Sequence, residues 1–585
     1  MKYWTEFYFI EKKTVGKKQN SLYDNNIFTF DIETSSLFRL NNKIYSTSEY
    51  LKLDKKEQEE AEFFAIMYIW QFSINETVYY GRTWEEFKQF IKNLDKVIPE
   101  KKFVFVHNLS FEFQFLKSFF KIKNMFARKA RKPISFELAD YNFEFRCSYF
   151  MSNCALKQLP KIFNLTEKKL VGDLDYSLIR TPLTKITAKE LKYCENDCLI
   201  VYEYIQKEME EYGTVKKIPR TSTGHVRREL FERIQNDYSY KNKVKKAINT
   251  DTHVYNLLVE AFMGGFTHAN YMYTDKIIKN VDSWDFTSSY PYVLVTHKYP
   301  STEFKKCNLK NEKDMISNFA YLLVVKFKNL KSRYYNNFLS QSRCRNIIKA
   351  KYDNGRIIEA QELEITLTDV DFKLLLLAYD TEYEIIESYY SVYNYLPKTF
   401  IEFVLEKYVN KTKLKGIESK KVEYAKEKNK FNALYGMSVT NMIKDNVYFE
   451  NDKDWYEEKI TNKEIIELLE KEKKKSFLSF AYGVWVTAYA RNNLIKNVMK
   501  LDSFVIYCDT DSMKLAENYD KNVILDYNNF VEQKINRVAK VLNIDVNKFM
   551  PVDQKGNKRM LGVFDFDGHY DEFITQRCKK ICNKN

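Results

Sequence analysis

Glycine, proline and cysteine are scarce in this sequence, and each shortage excludes a class of protein. Only 14 Gly and 9 Pro occur among 585 residues, which excludes a collagen-like or low-complexity chain. The Cys residues number nine, which is odd, and no two have the spacing C-x-x-C. Their number and spacing argue against a disulfide framework or a thiolate zinc site and favour a reducing compartment.

Long apolar runs are lacking as well. The longest uncharged apolar stretch, Ser476 to Ala490, is shorter than the roughly 20 residues that span a bilayer, and it predicts a buried helix instead. Acidic and basic residues interrupt the N-terminal run MKYWTEFYFIEKK, which is atypical of a signal peptide. We therefore expect a protein that is neither secreted nor inserted in a membrane.

Basic and hydrophobic residues are abundant. Lys and Arg number 94 against 79 Asp and Glu, a formal net charge of +15, and 45% of residues are hydrophobic. This composition predicts a folded chain. The positive charge favours an acidic polymer as partner, nucleic acid first. The alternative is that a Lys-rich composition only reflects biased codon usage.

Three segments predict the main elements of the first part of the chain. Asn26–Ile32 and Lys102–His107 are rich in Phe, Val and Ile and predict buried strands. Thr187 to Tyr212 predicts a long amphipathic helix, because Thr187 is followed three residues later by a Glu. A polar junction at Gly213 to Gly224 marks the expected domain boundary.

Four acidic residues in this first part have settings that suggest a metal site. They are Asp31 and Glu33 in FDIET, Glu112 in HNLSFEFQFL and Asp197 in YCENDC. Alternation along a strand puts the first two on one face, and Tyr193 lies four residues before the helical Asp on the same helix face. Carboxylate oxygens suit Mg²⁺ or Mn²⁺. Taken singly, each acid is more often an ordinary surface carboxylate.

The second part contains a stronger pattern. The segment FVIYCDTDSMKL predicts a hairpin with Asp509 and Asp511 at its tip, and two carboxylates held so close repel each other unless a cation lies between them. Asp285 ends an apolar strand in VDSWDFTSSYPYVL. The following Thr287–Pro291 turn presents backbone amides that could contact a triphosphate.

A helix predicted in KNKFNALYG aligns three polar groups. Lys428, Asn432 and Tyr435 recur at i, i+4 and i+7, on one face. A cation, an amide and a ring in that order suit phosphates, a base or sugar edge and a base-pair plane. The alternative is an ordinary amphipathic surface helix.

Eight motifs, taken in order, resemble the family B DNA polymerases, specifically the protein-primed branch of phages and linear plasmids. They are DIET, HNLSFE, YCEND, FMGGFT, DFTSSYP, KNKFNALYG, TAYAR and YCDTDS, and the resemblance runs from about residue 25 to the C-terminus. It implies an α/β (α+β) chain with an RNase H-like 3′–5′ exonuclease domain at residues 1–215 and a right-hand polymerase domain at residues 216–585. Within the latter it implies a palm at 250–300 and 476–585, a first insertion at about 301–397, fingers at about 398–439 and a second insertion at about 440–475.

The resemblance assigns roles in the polymerase part. Asp285 and Asp511 would bind two catalytic Mg²⁺ or Mn²⁺ ions, with Asp509 beside them. Tyr290 would stack under the incoming deoxyribose and reject a 2′-hydroxyl. The other assignments are Lys428 at the triphosphate, Asn432 and Tyr435 at the nascent base pair, Phe262, Gly264 and Gly265 in the family's Y-x-G-G loop, and Arg491 at the template or primer backbone.

The resemblance also assigns roles in the exonuclease part. The implied metal ligands are Asp31, Glu33, Glu112 and Asp197, with Tyr193 at the attacking water. The implied contacts to a frayed primer strand are Thr34, Asn108, Phe111 and Ser148, and Lys169 would support the metal chemistry.

Two departures from the family pattern affect these expectations. Glu112 replaces the family's Asp and is one methylene longer, so we expect an exonuclease that works slowly. In the family's K-x-Y motif, Lys579 or Lys580 fits the Lys, but Ile581 stands where Tyr is expected. The thumb subdomain that normally follows is expected to be missing or truncated.

The function expected is replication of a viral or linear-plasmid genome in the host cytoplasm by a monomeric enzyme. Its partners would be dNTPs, a DNA primer-template and a terminal protein whose hydroxyl replaces an RNA primer. Two alternatives stay open: the same fold using an ordinary nucleic-acid primer, and a thumbless relic that only binds DNA or only degrades it. An RNA polymerase is disfavoured by Tyr290.

Overall fold

The computed structural model describes residues 1–16, 22–167, 178–440, 443, 446–577 and 580–584. The chain forms two units: residues 1–225, 418–429 and 445–459 build the first, and residues 226–417, 430–444 and 460–585 build the second. Lys169 and Lys579, which the sequence singled out, lie outside the described residues. No helix within the described part is both long and apolar enough to cross a membrane.

A nine-stranded sheet forms the centre of the first unit. In spatial order its strands are Lys2–Tyr3, Thr77–Gly81, Glu62–Ile74, Phe28–Leu40, Lys102–Val106, Phe143–Cys147, Pro133–Leu138 and Ile122–Ala127, and Lys43–Ser46 pairs with Phe28–Leu40. The three central strands, Phe28–Leu40, Lys102–Val106 and Phe143–Cys147, run parallel. Their apolar side chains are buried, which is typical of strands in the middle of a mixed sheet.

Helices cover this sheet, and two short strand pairs complete the unit. The helices are Thr47–Tyr50, Lys55–Glu60, Trp84–Val97, Ser110–Phe119, Ser148–Ser152, Leu159–Phe163 and Ala188–Tyr212. The small pairs are Thr14–Val15 with Tyr23–Asp24, and Asn446–Glu450 with Asp454–Glu458.

The predicted long helix is confirmed, and so is its cap. Ala188–Tyr212 begins after Thr187, whose hydroxyl accepts from the Glu190 amide (3.2 Å), while the Glu190 carboxylate accepts from the Thr187 amide (2.8 Å). The predicted strand at Asn26–Ile32 is observed but runs from Phe28 to Leu40, because it pairs with Glu62–Ile74 as far as Arg39 and its last four residues pair with Lys43–Ser46 in a hairpin.

The second unit contains two six-stranded antiparallel sheets. The first has the order Thr267–Ala269, Val505–Asp509, Ser512–Leu515, Ile278–Phe286, Phe564–Arg577 and Lys580–Lys584. The second has the order Lys298–Pro300, Tyr379–Tyr395, Phe319–Ser332, Arg356–Thr368 and Arg345–Asp353, with Lys305–Cys307 on Tyr379–Tyr395. The predicted mixture of helices and strands is therefore confirmed.

Ten helices are described in the second unit or at its ends. They are Ser222–Ile234, Tyr238–Lys246, Thr252–Ala261, Ser289–Thr296, Asp369–Ala378, Lys398–Leu414, Lys421–Ser438, Asn462–Lys475, Phe480–Leu501 and Asn522–Leu542. The apolar stretch at Ser476–Ala490 does form a buried helix, but the helix begins at Phe480 and continues to Leu501. It extends further because the polar residues of its second half, such as Arg491, find partners inside the unit.

Candidate active sites

Three carboxylates meet at the centre of the first unit. Asp31 and Glu33 project from the strand Phe28–Leu40, and Asp197 projects from the helix Ala188–Tyr212. One oxygen of each lies within 4.8 Å of the others. The helix is held against the strand by a hydrogen bond from the Thr29 hydroxyl to the Cys198 carbonyl (3.2 Å). Two buried acids and one half-buried acid together form a set of oxygen ligands that fits a hard divalent cation.

Glu112 lies beside this trio. It belongs to the first turn of the helix Ser110–Phe119 and is buried. Burial raises the pKa of Glu112 well above its ordinary value, and the neighbouring charges of Asp31 and then Glu33 raise it further. In a protein interior, such mutual repulsion is relieved by a bound cation or by a proton. The four predicted exonuclease acids are therefore neighbours in space.

The remaining residues predicted at this site differ in exposure. Tyr193 is buried one turn before Asp197 on the same helix. Asn108, with a left-handed backbone (φ 68°), and Phe111 are both exposed beside the helix that carries the buried Glu, whereas Thr34 is half-buried. Phe111 is thus available to stack on a base.

Ser148, which the sequence predicted as a DNA contact, lies inside the first unit. Its side chain is completely buried at the end of the strand Phe143–Cys147. Its hydroxyl donates to the Val106 carbonyl (3.3 Å) and lies 3.0 Å from His107 Nδ1. Because the hydroxyl is used inside the sheet, Ser148 supports the site from within.

One polar residue beside the trio was missed from the sequence. Gln71, on the strand Glu62–Ile74, donates from Nε2 to Asp31 Oδ2 at 2.9 Å. In the sequence, Gln71 stands out only as an amide between Trp70 and Phe72 in a mostly apolar strand.

The second group of carboxylates lies at one end of the first sheet of the second unit. Asp285 pairs with Ser512 across the sheet, and Ser512 follows Asp511 directly. The Phe286 amide donates to the Asp511 carbonyl at 2.8 Å. Asp509 ends the strand before the turn. The three aspartates predicted to meet therefore lie at the same end of three successive strands of this sheet, with Asp511 in the turn that joins two of them. Among the described residues, only the first unit's trio has ligand atoms within 4.8 Å of one another.

Burial and neighbouring charges raise the pKa of two of these aspartates. Burial and the Asp511 charge raise the pKa of Asp285 to about 7, and burial and the Asp509 charge raise the pKa of Asp511 to about 6. Lys514, a buried cation on the same hairpin, offsets part of both shifts. Carboxylates so crowded fit a divalent cation, which neutralises their repulsion.

The hairpin turn is fixed by neighbouring backbone. Thr267 Oγ1 donates to Asp509 Oδ1 at 2.9 Å, and the Thr510 amide donates to the Phe266 carbonyl at 2.7 Å. A Cβ added to Gly265 would lie only 2.7 Å from Thr510 Cγ2. Glycine is thus required at 265 so that the loop can approach the turn.

Aromatic rings line the same site. The rings of Tyr290 and Tyr435 stack with centroids 4.2 Å apart. Tyr290 lies in the first turn of the helix Ser289–Thr296, whose free amides follow the Asp285 strand. The helix Lys421–Ser438 carries Tyr435 half-buried and leaves Asn432 and Lys428 exposed.

Arg491, which the sequence predicted as a DNA contact, lies inside the second unit. This side chain is 4% exposed and forms a two-point ion pair with Asp371, with Nη2–Oδ2 2.8 Å and Nε–Oδ1 3.2 Å. It also donates to the carbonyls of Met263 and of Gly264, the latter at 2.9 Å. A buried guanidinium needs such partners, so Arg491 anchors the loop that follows Phe262.

Lys411 is a second residue that the sequence did not single out. Its Nζ lies 3.3 Å from Ser288 Oγ, at the turn that begins the Tyr290 helix. In the sequence, Lys411 lies in a Lys-rich stretch, and such stretches are typical of solvated surface.

Comparison with known proteins agrees with this arrangement. Residues 169–530 match the family described as DNA polymerase type B, organellar and viral. The DNA polymerases of Bacillus phages B103 and phi29 are 25% identical over 381 and 390 residues, which is 63% of this chain and 60% of theirs. The chain thus spans about 60% of the length of these curated relatives.

Solved structures share the fold. Phi29 DNA polymerase with primer-template DNA has a TM-score of 0.66 at 17% identity, covering 95% of this chain and 86% of that one. Its ternary complex with incoming nucleotides has a TM-score of 0.64 at 18% identity, covering 96% and 88%. The family match, which spans more than half of the sequence, places this chain among the type B DNA polymerases of organelles and viruses.

Proposed function

We propose that this chain is a template-directed DNA polymerase of the phage or linear-plasmid type that also removes nucleotides from a 3′ end. The observation that carries the proposal is the strand register that brings Asp285 next to Asp511, beside the stacked Tyr290 and Tyr435. Two acids with a planar ring surface beside them are what nucleotide addition requires.

Each of the two sets of acids is assigned to one activity and one domain. We assign an exonuclease domain to residues 1–215 and a polymerase domain to residues 216–585. In the latter, the palm is 250–300 and 476–585, the fingers are about 398–439, and the insertions are about 301–397 and 440–475.

In nucleotide addition, a primer 3′-hydroxyl attacks the α-phosphate, an O–P bond forms, and pyrophosphate leaves. Asp285 and Asp511 would hold two Mg²⁺ or Mn²⁺ ions, which supply charge stabilisation for the attacking and leaving oxygens. The free amides at the start of the helix Ser289–Thr296 would bind triphosphate oxygens. Tyr290 would exclude a 2′-hydroxyl from the sugar position.

In the exonuclease reaction, water attacks the terminal phosphodiester and a nucleoside monophosphate leaves. Asp31, Glu33, Asp197 and Glu112 would bind the same kind of cation. Tyr193 would orient the water, and Phe111 would stack on the frayed base.

The test separates the two activities. With a primer-template, dNTPs and Mg²⁺, Asp511→Asn should abolish primer extension and keep primer shortening. Asp31→Asn, the matched control, should do the reverse. Normal extension by Asp511→Asn would remove this residue from the site. DNA binding with no extension by the unaltered protein would favour the DNA-binding relic.

Protein priming is the finer part of the proposal. It rests on the family and on the β-rich segment 301–397 between the palm strands. We propose a terminal protein as partner, a monomeric polymerase, and action in the cytoplasm of the host. Radiolabelled dNMP should become covalently attached to a co-expressed small protein. Labelling of DNA primers alone would indicate an ordinary primer instead.

A further inference from the structure

A buried glutamine contacts the first-unit carboxylates. Gln71 lies directly opposite Asp31 in the antiparallel register of Glu62–Ile74 with Phe28–Leu40, so both side chains share one face of the sheet. The Gln71 side chain is completely buried, and its Nε2 lies 2.9 Å from Asp31 Oδ2.

The orientation of the amide follows from its partner. An ionised carboxylate can only accept hydrogen bonds, so the NH₂ end of Gln71 must face Asp31. The other end, Oε1, is buried and has no hydrogen-bond partner among the residues that the structure describes. A buried acceptor of this kind costs free energy, because it has lost its hydrogen bonds to water without gaining a partner. An apolar residue would avoid this cost, so packing alone does not account for an amide between Trp70 and Phe72.

Asp31 needs such a restraint because its neighbours crowd it. Glu112 and Glu33 both lie close enough to Asp31 for the negative charges to repel one another. An aspartate in that position can turn its carboxylate away from the other acids in the metal-free protein. A donor fixed on the neighbouring strand Glu62–Ile74 holds Oδ2 in place and so restrains the orientation of the whole carboxylate.

We propose that Gln71 is a positioning residue that holds the Asp31 carboxylate in the orientation required to bind a divalent cation. This inference rests on the proposed exonuclease function. Residues that hydrogen-bond a metal ligand typically change metal affinity by about 10–100-fold when they are replaced. In this proposal Gln71 acts through its hydrogen bond to Asp31.

The experiment measures metal binding directly. The parent protein carries Asp285→Asn and Asp511→Asn, so that Mn²⁺ titration followed by electron paramagnetic resonance reports the first-unit site. Gln71→Met keeps the length of the side chain and removes the donor, and we expect it to weaken Mn²⁺ binding about 10–100-fold. Thermal unfolding of the metal-free protein should change little, which a merely structural role would not predict.

Ser73→Ala is the matched control. Ser73 is two residues further along the same strand, is fully buried, and bonds to the Thr29 hydroxyl at 2.6 Å. Its replacement should leave Mn²⁺ affinity within about twofold of the parent, because the Thr29 hydroxyl still donates to the Cys198 carbonyl and Gln71 still donates to Asp31.

The outcomes separate the inference from the proposed function. The parent should bind Mn²⁺ at a site that Asp31→Asn removes. If it has no such site, the proposed metal-dependent exonuclease function is refuted. If the parent binds Mn²⁺ and Gln71→Met binds it equally well, the role of Gln71 is refuted. Should Gln71→Met not fold, Gln71→Asn keeps an amide but shortens it by one methylene. It should weaken binding in the same direction, and unchanged binding would overturn the inference.

Discussion

Replacing Gly265 tests how closely the loop after Phe262 supports the Asp509–Asp511 turn. A Cβ at 265 would lie 2.7 Å from Thr510 Cγ2, 2.8 Å from Oγ1 and 3.0 Å from Cβ. Ordinary carbon contacts are about 3.5–4.0 Å, so Gly265→Ala must displace Thr510. Gly264→Ala is the matched control, because its Cβ would meet no heavy atom within 4 Å.

The magnitude follows from this overlap. Overpacking of a tight site costs about 1–3 kcal/mol, and loss of glycine entropy in the unfolded chain returns about 0.4–1 kcal/mol. We therefore expect Gly265→Ala to lower the free energy of unfolding by about 1–2 kcal/mol. Thr510 Oγ1 also contacts Asp509 (3.1 Å). Since misplacement by about 1 Å can cost 10²-fold in rate, single-turnover dNMP incorporation should fall by at least about tenfold.

A second substitution identifies the cause. Thr510 has a backbone φ of 59°, which glycine adopts without strain. Thr510→Gly removes all three contacting atoms, so Gly265→Ala combined with Thr510→Gly should recover about 1 kcal/mol or more in a double-mutant cycle. The assays are urea unfolding and rapid-quench incorporation. Equal stability and rate for Gly265→Ala and Gly264→Ala, or no coupling with Thr510, would refute the steric argument.

Three further predictions concern buried charges and the exposed ring. Asp371→Asn leaves the buried Arg491 unpaired and should lower the free energy of unfolding in urea by about 3–5 kcal/mol. Asp380 is in an exposed ion pair with Arg333, so Asp380→Asn should lower it by under about 1 kcal/mol. Equal losses of stability in the two variants would contradict this prediction. Burial would raise the pKa of Glu144, but Arg146 and Lys101 hold this pKa at about 2. About 3 kcal/mol of stability that is present above pH ~4.5 should therefore be lost as the pH falls toward 2. A Glu144→Gln variant whose stability changes with the same pH slope would contradict this prediction. Phe111→Ala should slow primer shortening about tenfold at unchanged stability, corresponding to about 1–3 kcal/mol of stacking, while loss of stability without loss of shortening would assign Phe111 to packing.

The sequence singled out the acids through local patterns. Asp285 and Asp509 lie at or next to the ends of strands and Asp511 lies in the following turn, and strand alternation and turn chemistry are local properties. The cap at Thr187 was readable for the same reason, since both partners lie within four residues. The resemblance to the family then predicted the order of the domains along the chain.

The environment of each residue was decided by the tertiary structure alone. Ser148 and Arg491 lie in motifs that suggest DNA contact, yet the sheet buries Ser148 and Asp371 pairs with Arg491 across 120 residues. The hydrogen bond from Gln71 to Asp31 spans 40 residues. Burial and long-range pairing depend on which distant segments pack together, and a local pattern of residue types does not specify them. Local chemistry therefore identified the carboxylates, and packing determined which neighbours hold them.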